Sequence, residues 1–201
     1  MAFPERLAIA SRNRHKLREI QTICAGWPVE WVTVETHEGP WPEIEEPHDT
    51  YLRNAFEKAR AVARALGVPA VADDSGLEVD ALGGAPGPRS ARYAGPAAAD
   101  ADNRRQLLTA LKGIPGSGRS ARFRCVAAVA WPDGRELHAE GVCDGVLETK
   151  ERGSGGFGYD PLFVPEGWDR TMAELDPPEK DRISHRGRAF RALGERLAAE
   201  T

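Results

Sequence analysis

Cysteine is scarce in this 201-residue chain: Cys24, Cys125 and Cys143 are odd in number and stand in no metal-binding spacing. That excludes a disulfide framework and a thiolate zinc site, and Cys125, inside an apolar run, reads as core. Long apolar runs are missing too. Nothing approaches the ~18 consecutive apolar residues of a membrane span, and Met1-Ala2-Phe3-Pro4-Glu5 lacks the basic and apolar regions of a signal peptide. A cytoplasmic protein with no membrane partner is the expectation. The chain also lacks basic excess, with a net charge of −4, so nothing in its bulk electrostatics favours a nucleic-acid partner. Any anion it binds must be met by local cations. No Walker A loop, G-x-S-x-G elbow or internal repeat occurs. The composition fits a single domain over 1–201, or two closely joined lobes, with ample material for a core.

What is present alternates between strand and helix patterns. Arg6 to Ala10 is a short apolar strand, Asn13 to Cys24 has helical spacing, and Val29 to Val34 is a second strand candidate. Glu35 to His48 is acidic, proline-rich loop. Thr50 to Leu66 is the clearest helix, with Leu52, Ala55, Phe56, Ala59, Val62, Ala63 and Leu66 on one stripe and Gly67 as its stop. Val68 to Ala72 reads as a buried strand, Asp102 to Lys112 as a helix, and Arg122 to Trp131 with Arg135 to Leu147 as a hairpin about Pro132-Asp133-Gly134. Ser184 to Glu200 closes the chain as a helix. The pattern predicts an α/β fold with a mixed twisted sheet flanked by helices.

Four features carry chemistry. Val71-Ala72-Asp73-Asp74-Ser75-Gly76-Leu77 places two acids at the predicted end of a buried strand, with Ser-Gly as the turn that stops it. Adjacent carboxylates repel, so a hard divalent cation is the natural partner; an Asx turn is the alternative. An unperturbed Asp, with pKa near ~3.9, starts ionised. Secondly, two helix starts oppose the helix dipole: Arg14, His15 and Lys16 follow the cap at Ser11-Arg12-Asn13, and His185 and Arg186 follow Ser184. A phosphate at the exposed amides would relieve both, and solvated surface charge is the alternative. Thirdly, Lys58 follows Asn54 by four residues, on one stripe of the strong helix. Lastly, Gly153-Ser154-Gly155-Gly156-Phe157-Gly158 formally matches G-x-G-x-x-G, but Pro161 follows too soon for the required helix. Phe157, Tyr159 and Asp160 instead read as a base-recognition loop, or as a tight turn with its aromatics in the core.

Together these blocks resemble the inosine triphosphate pyrophosphatase family. The matching residues are Ser11 to Lys16, Glu45-Glu46, Asn54-Ala55 with Lys58-Ala59, Ala72 to Leu77, Leu82 to Gly87, Ser90 to Tyr93, Gly155 to Pro161, and Lys180 with Ser184-His185-Arg186-Gly187. The resemblance implies two lobes around a central substrate cleft, a homodimer, and a Mg²⁺-dependent cut between α- and β-phosphates. Substrates would be non-canonical purine nucleoside triphosphates (ITP, dITP, XTP). It assigns Ser11, Arg12, Asn13, Arg14, His15 and Lys16 to a phosphate loop and Lys58 to the triphosphate. Asp74 becomes the general base or metal-linked water activator. Glu46 or Glu45, with Asp73 and Asp74, lies at the metal, and Ser75 touches substrate. Phe157, Gly158, Tyr159, Asp160, Lys180, His185 and Arg186 surround base and sugar. The sequence departs from the family pattern after Glu46, where Pro47-His48-Asp49-Thr50-Tyr51 replaces a glycine and Thr-Phe. Two other readings remain: a Maf-type pyrimidine or modified-nucleotide pyrophosphatase, opposed by the Phe157 and Ser184 blocks, and a nucleotide sensor without turnover, opposed by Asp74, Lys16 and Lys58.

Overall fold

The computed structural model describes residues 3–44 and 46–199. Its elements are β1 (Arg6–Ile9), α1 (Arg14–Ile23), β2 (Glu30–Val32), α2 (Tyr51–Leu66), β3 (Ala70–Val79) and α3 (Asp100–Ala110). They continue as β4 (Ser120–Ala130), β5 (Glu136–Leu147), β6 (Phe163–Pro165), α4 (Pro177–Ile183) and α5 (His185–Ala199). The strands form a six-stranded sheet in the order β2-β1-β3-β4-β5-β6. β1 runs parallel to β2 and β3, whereas β6 is antiparallel to β5. The α/β class and mixed sheet read from the sequence are those observed.

Local chemistry accounts for the helices nearest the chemistry-bearing residues. Asn13 caps α1, its Oδ1 accepting from the amides of His15 at 2.9 Å and Lys16 at 3.3 Å. Thr50 caps α2, and Gly67 ends it in the left-handed region at φ 66°, its N–H donating to the Ala63 carbonyl at 2.9 Å. Between these ends Ala55, Ala59, Val62 and Ala63 are buried, as the stripe required.

Two compact units divide the chain. One comprises 1–74, 125–141 and 186–201; the other comprises 75–124 and 142–185. The first packs Leu7, Ile9, Leu17 and Ile20 with Val71, Val129, Phe190 and Leu193 in one cluster, and Ala8, Val62 and Ala72 in another. The second has its own core of Leu77, Leu107, Leu111, Phe123, Leu162 and Phe163. Among the described residues no helix is long and apolar enough to cross a membrane.

One expectation needs correction. Ser75-Gly76 does not end the strand: β3 runs unbroken through Asp73, Asp74, Ser75 and Gly76 to Val79. Turn propensity loses to the continuation of β3, whose register with β1 ends at Val71 and whose far half is held in part by the Ser90 hydroxyl, which accepts from the Leu77 amide at 2.8 Å. The acid pair therefore lies within a strand, and the Asx turn is ruled out. Two elements escaped the sequence reading. β6 has three residues, too few for a periodic signal. α4 carried a readable signature, an Asp176 cap with Glu179 in a reciprocal capping box and Pro177 at the first helical position.

Candidate active site

Successive side chains of a strand point to opposite faces, so Asp73 and Asp74 are neighbours in sequence with different surroundings. Both are almost fully buried.

Asp73 gathers cations from two helix starts. Arg186, in the first turn of α5, reaches its Oδ2 with Nη2 at 2.9 Å and Nε at 3.3 Å, and Lys16, in the first turn of α1, reaches the same oxygen at 3.2 Å. The other arm of Arg186 donates to Glu19 Oε2 at 2.5 Å. Burial alone would raise the Asp73 pKa; Arg186 first, then Lys16 and Lys58, hold it well below the ordinary carboxylate range. Arg186 is opposed by burial and held firmly cationic by Asp73 and Glu19. The anion answering both helix starts is thus a carboxylate of the chain itself. The amides of His15 and Lys16, expected to face phosphate, are taken by the Asn13 cap.

Asp74 is held from α2. Lys58 Nζ donates to its Oδ1 at 3.0 Å and to Glu46 Oε1 at 2.6 Å. Asn54 Nδ2 donates to Asp74 Oδ2 at 3.1 Å and to the His48 carbonyl at 3.0 Å, while Asn54 Oδ1 accepts from the His48 amide at 3.0 Å. The segment that departs from the family pattern is therefore fastened by the residue that orients Asp74. Burial raises the Asp74 pKa against the pull of Lys58 and Lys16. Lys58 is lowered by burial but raised more by Asp74, Glu46 and Asp73, so it stays an ammonium. The i, i+4 spacing of Asn54 and Lys58 meant a shared grip on one carboxylate.

The remaining first-unit residues serve the 35–44 loop or the cap. Arg12 donates to the Trp41 and Pro42 carbonyls at 3.0 and 3.4 Å, Arg14 pairs with Glu35 at 3.0 Å across an exposed surface, and Ser11 Oγ accepts from the Asn13 amide. His15 is exposed. Glu45 lies outside the described residues.

In the second unit, Ser75 is half-buried. The glycine loop is organised by its own acids and bases. Asp160 is buried, accepts from the Phe157 amide at 2.9 Å and pairs with Lys180 at 2.7 Å; Lys180 Nζ also lies 5.1 Å from the centre of the Phe157 ring. Tyr159 belongs to the core, its hydroxyl donating to the Ser90 carbonyl at 2.9 Å. Asp160 and Tyr159 therefore build the loop, Asp160 through its pairing with Lys180 and Tyr159 through the core. Phe157 keeps a half-buried ring and Gly158 a half-buried backbone. His185 is buried, stacked on Phe123 with ring centres 4.7 Å apart.

A model of the Ham1 family matches residues 7–196. The chain belongs to the Ham1 family. It is 51% identical, over 93% of its length and 79% of the relative's, to the dITP/XTP pyrophosphatase of Syntrophobacter fumaroxidans. To that of Methylococcus capsulatus it is 49% identical over 98% of both chains. Among solved structures, a HAM1 protein from Coxiella burnetii is similar at TM-score 0.86 and 41% identity, covering 98% of this chain and 100% of that one. The Staphylococcus aureus Ham1 protein gives 0.85 and 37%, with the same coverage. The family resemblance drawn from the motifs stands.

Among the described residues no group of three or more His, Cys, Asp or Glu could hold a metal ion. Mg²⁺ needs fewer, since one or two carboxylates complete its shell with substrate phosphates and water. Glu46 and Asp74, converging on a single ammonium, are hard oxygen donors that fit this requirement. Sequence reasoning missed Glu19, whose signal was an acid three residues after Lys16 on an otherwise basic helix start, and the orienting role of Asn54.

A cation at a helix start opposes the dipole, but Arg186 is buried, and its burial decides its effect on stability. Replacing Arg186 by Met should destabilise the protein by about 3–5 kcal/mol, because Asp73 and Glu19 lose a buried partner; urea unfolding measures it. The pH dependence has a definite sign. A depressed Asp73 pKa contributes stability that is present above the unfolded value of ~3.9 and is lost as pH falls toward the folded value. The wild type should therefore lose stability below about pH 4 more steeply than Arg186→Met. Equal stability of the two proteins at neutral pH would contradict this account.

Proposed function

We propose that the chain hydrolyses the non-canonical purine nucleoside triphosphates ITP, dITP and XTP to the nucleoside monophosphate and pyrophosphate. It is a nucleoside-triphosphate pyrophosphatase, as its relatives named dITP/XTP pyrophosphatase support. The observation that carries the reading is the buried carboxylate of Asp74, held at both oxygens by Lys58 and Asn54.

In this reading Asp74 accepts the proton of the attacking water. Burial raises its proton affinity, which improves a carboxylate as a base near neutral pH. Asn54 fixes its orientation. Lys58 and Lys16 supply fixed positive charge toward the phosphates, where phosphoryl transfer most needs it. Asp73 anchors Lys16 rather than holding metal, and Arg186 anchors Asp73 rather than reading a base. Phe157, Gly158 and Lys180 face the purine, with His185 stacked behind on Phe123. A site that presents donors at purine position 6 would accept a keto oxygen, whereas an adenine amino group there would leave donors facing donors. We read the cofactor as Mg²⁺, with Glu46 and Asp74 as the residues that would hold it. Such an ion would supply charge neutralisation to the phosphates. A cytoplasmic homodimer, without nucleic-acid or membrane partners, completes the reading.

The test is pyrophosphate release from dITP with Mg²⁺ by the purified wild type and by Asp74→Asn. The wild type should release pyrophosphate from dITP far faster than from dATP, and the variant should lose roughly 10²–10⁴-fold in rate. Asn presents an amide N–H to one of the two donors on Asp74, so about 1–3 kcal/mol of stability is lost as well. The rate is therefore compared on protein shown to be folded. Near-normal turnover by the folded variant, or no pyrophosphate from the wild type, would overturn the reading.

A further inference from the structure

We propose that Asp100 and Arg104 of α3 are positioning residues that set base selectivity by fixing the Gly158 peptide groups of the recognition loop. The inference rests on the proposed function and deepens it.

Gly158 is held at both of its backbone polar groups by one helix. Its N–H donates to Asp100 Oδ2 at 2.7 Å, and its carbonyl accepts from Arg104 Nη1 at 2.9 Å. Asp100 and Arg104 stand four residues apart, hence on one face of α3. Arg104 is in turn held by Glu151 at 2.9 Å, at the start of the glycine-rich segment. Gly158 adopts φ 61°, and a Cβ built there would meet nothing within 4 Å. Glycine is required by the left-handed backbone, not by crowding. A glycine in that region has many alternatives, so external contacts must choose its conformation.

The neighbouring residues show what that choice controls. Phe157 precedes Gly158 and faces Lys180, while Tyr159 and Asp160 after it are sunk into the core and the Lys180 pair. The segment after Gly158 is therefore fixed, Asp160 holds the Phe157 amide from beyond it, and the angles at Gly158 set how the peptide groups between Phe157 and Tyr159 are presented. Specificity between purines that differ by one polar group depends on placing such groups to within a fraction of an ångström. The clamp bears on that placement without touching the acids and lysines of the phosphate chemistry.

The test compares kcat/KM for dITP and dATP in the wild type, Asp100→Ala, Asp100→Asn and Asp102→Ala. Asp100 and Asp102 both lie in the first turn of α3, but Asp102 bonds the Ala99 amide and Arg105 instead of Gly158. Asp100→Ala should narrow the dITP-to-dATP ratio by about tenfold or more, as expected from losing a charge-assisted hydrogen bond, with kcat for dITP within about threefold of wild type. Asn keeps an acceptor and should restore part of the ratio. Asp102→Ala weakens the same helix start and should leave the ratio unchanged. An unaltered ratio in Asp100→Ala, no rescue by Asn, or an equal effect from Asp102→Ala would overturn the inference. A wild type inert toward dITP would instead overturn the proposed function.

Discussion

The arrangement of the first unit depends on one buried oxygen, Oδ2 of Asp73, which takes Arg186 from α5 and Lys16 from α1. Each helix begins with a cation where its dipole opposes one, and each would stand isolated in a low-dielectric interior without a counter-charge. One carboxylate settles both, at a position where desolvating it would otherwise cost several kcal/mol. Glu19 completes the set by taking the other arm of Arg186. The ends of two helices and the middle of a strand are thereby brought to one point. Cys125 lies at its edge, with Sγ 3.9 Å from Asp73 Oδ2 and its thiol pushed up by burial.

With Asp73 neutralised by the chain's own cations, its neighbour can serve another purpose. Asp74 points to the other side of β3, where a single lysine is shared with Glu46. That sharing matters: Lys58 cannot satisfy two carboxylates fully, and burial leaves Asp74 with raised proton affinity. The pair thus divides into one acid kept ionised and one made more basic, the division expected where like groups have different tasks. The second unit repeats the pattern of a buried acid used as a fastener. Asp160 ties the Phe157 amide to Lys180.

Much of this was legible in the sequence because the signals were local. The α2 stripe, the Asn13, Thr50 and Gly67 caps, and the hairpin about Gly134 each follow from residue type and spacing. The ordered motifs led to the right family. What could not be read there depended on partners distant in sequence. Asp-Asp-Ser-Gly looks like a turn until β3 is found to run through it to Val79. Two adjacent acids call for a metal until Arg186, 113 residues away, reaches the first of them. Neither the burial of Arg186 between Asp73 and Glu19 nor the pairing of Asp160 with Lys180 has a local signal. Local patterns fixed which residues carry charge, and tertiary contact decided which charge answers which.

The most direct measurement of that division is a carboxyl-carbon NMR titration of Asp73 and Asp74 in the full chain. Asp74 should titrate above the ordinary aspartate value of ~3.9, and Asp73 should stay ionised down to the pH at which the protein unfolds. Two carboxyls titrating together near ~3.9, or Asp73 taking its proton before Asp74, would contradict the account.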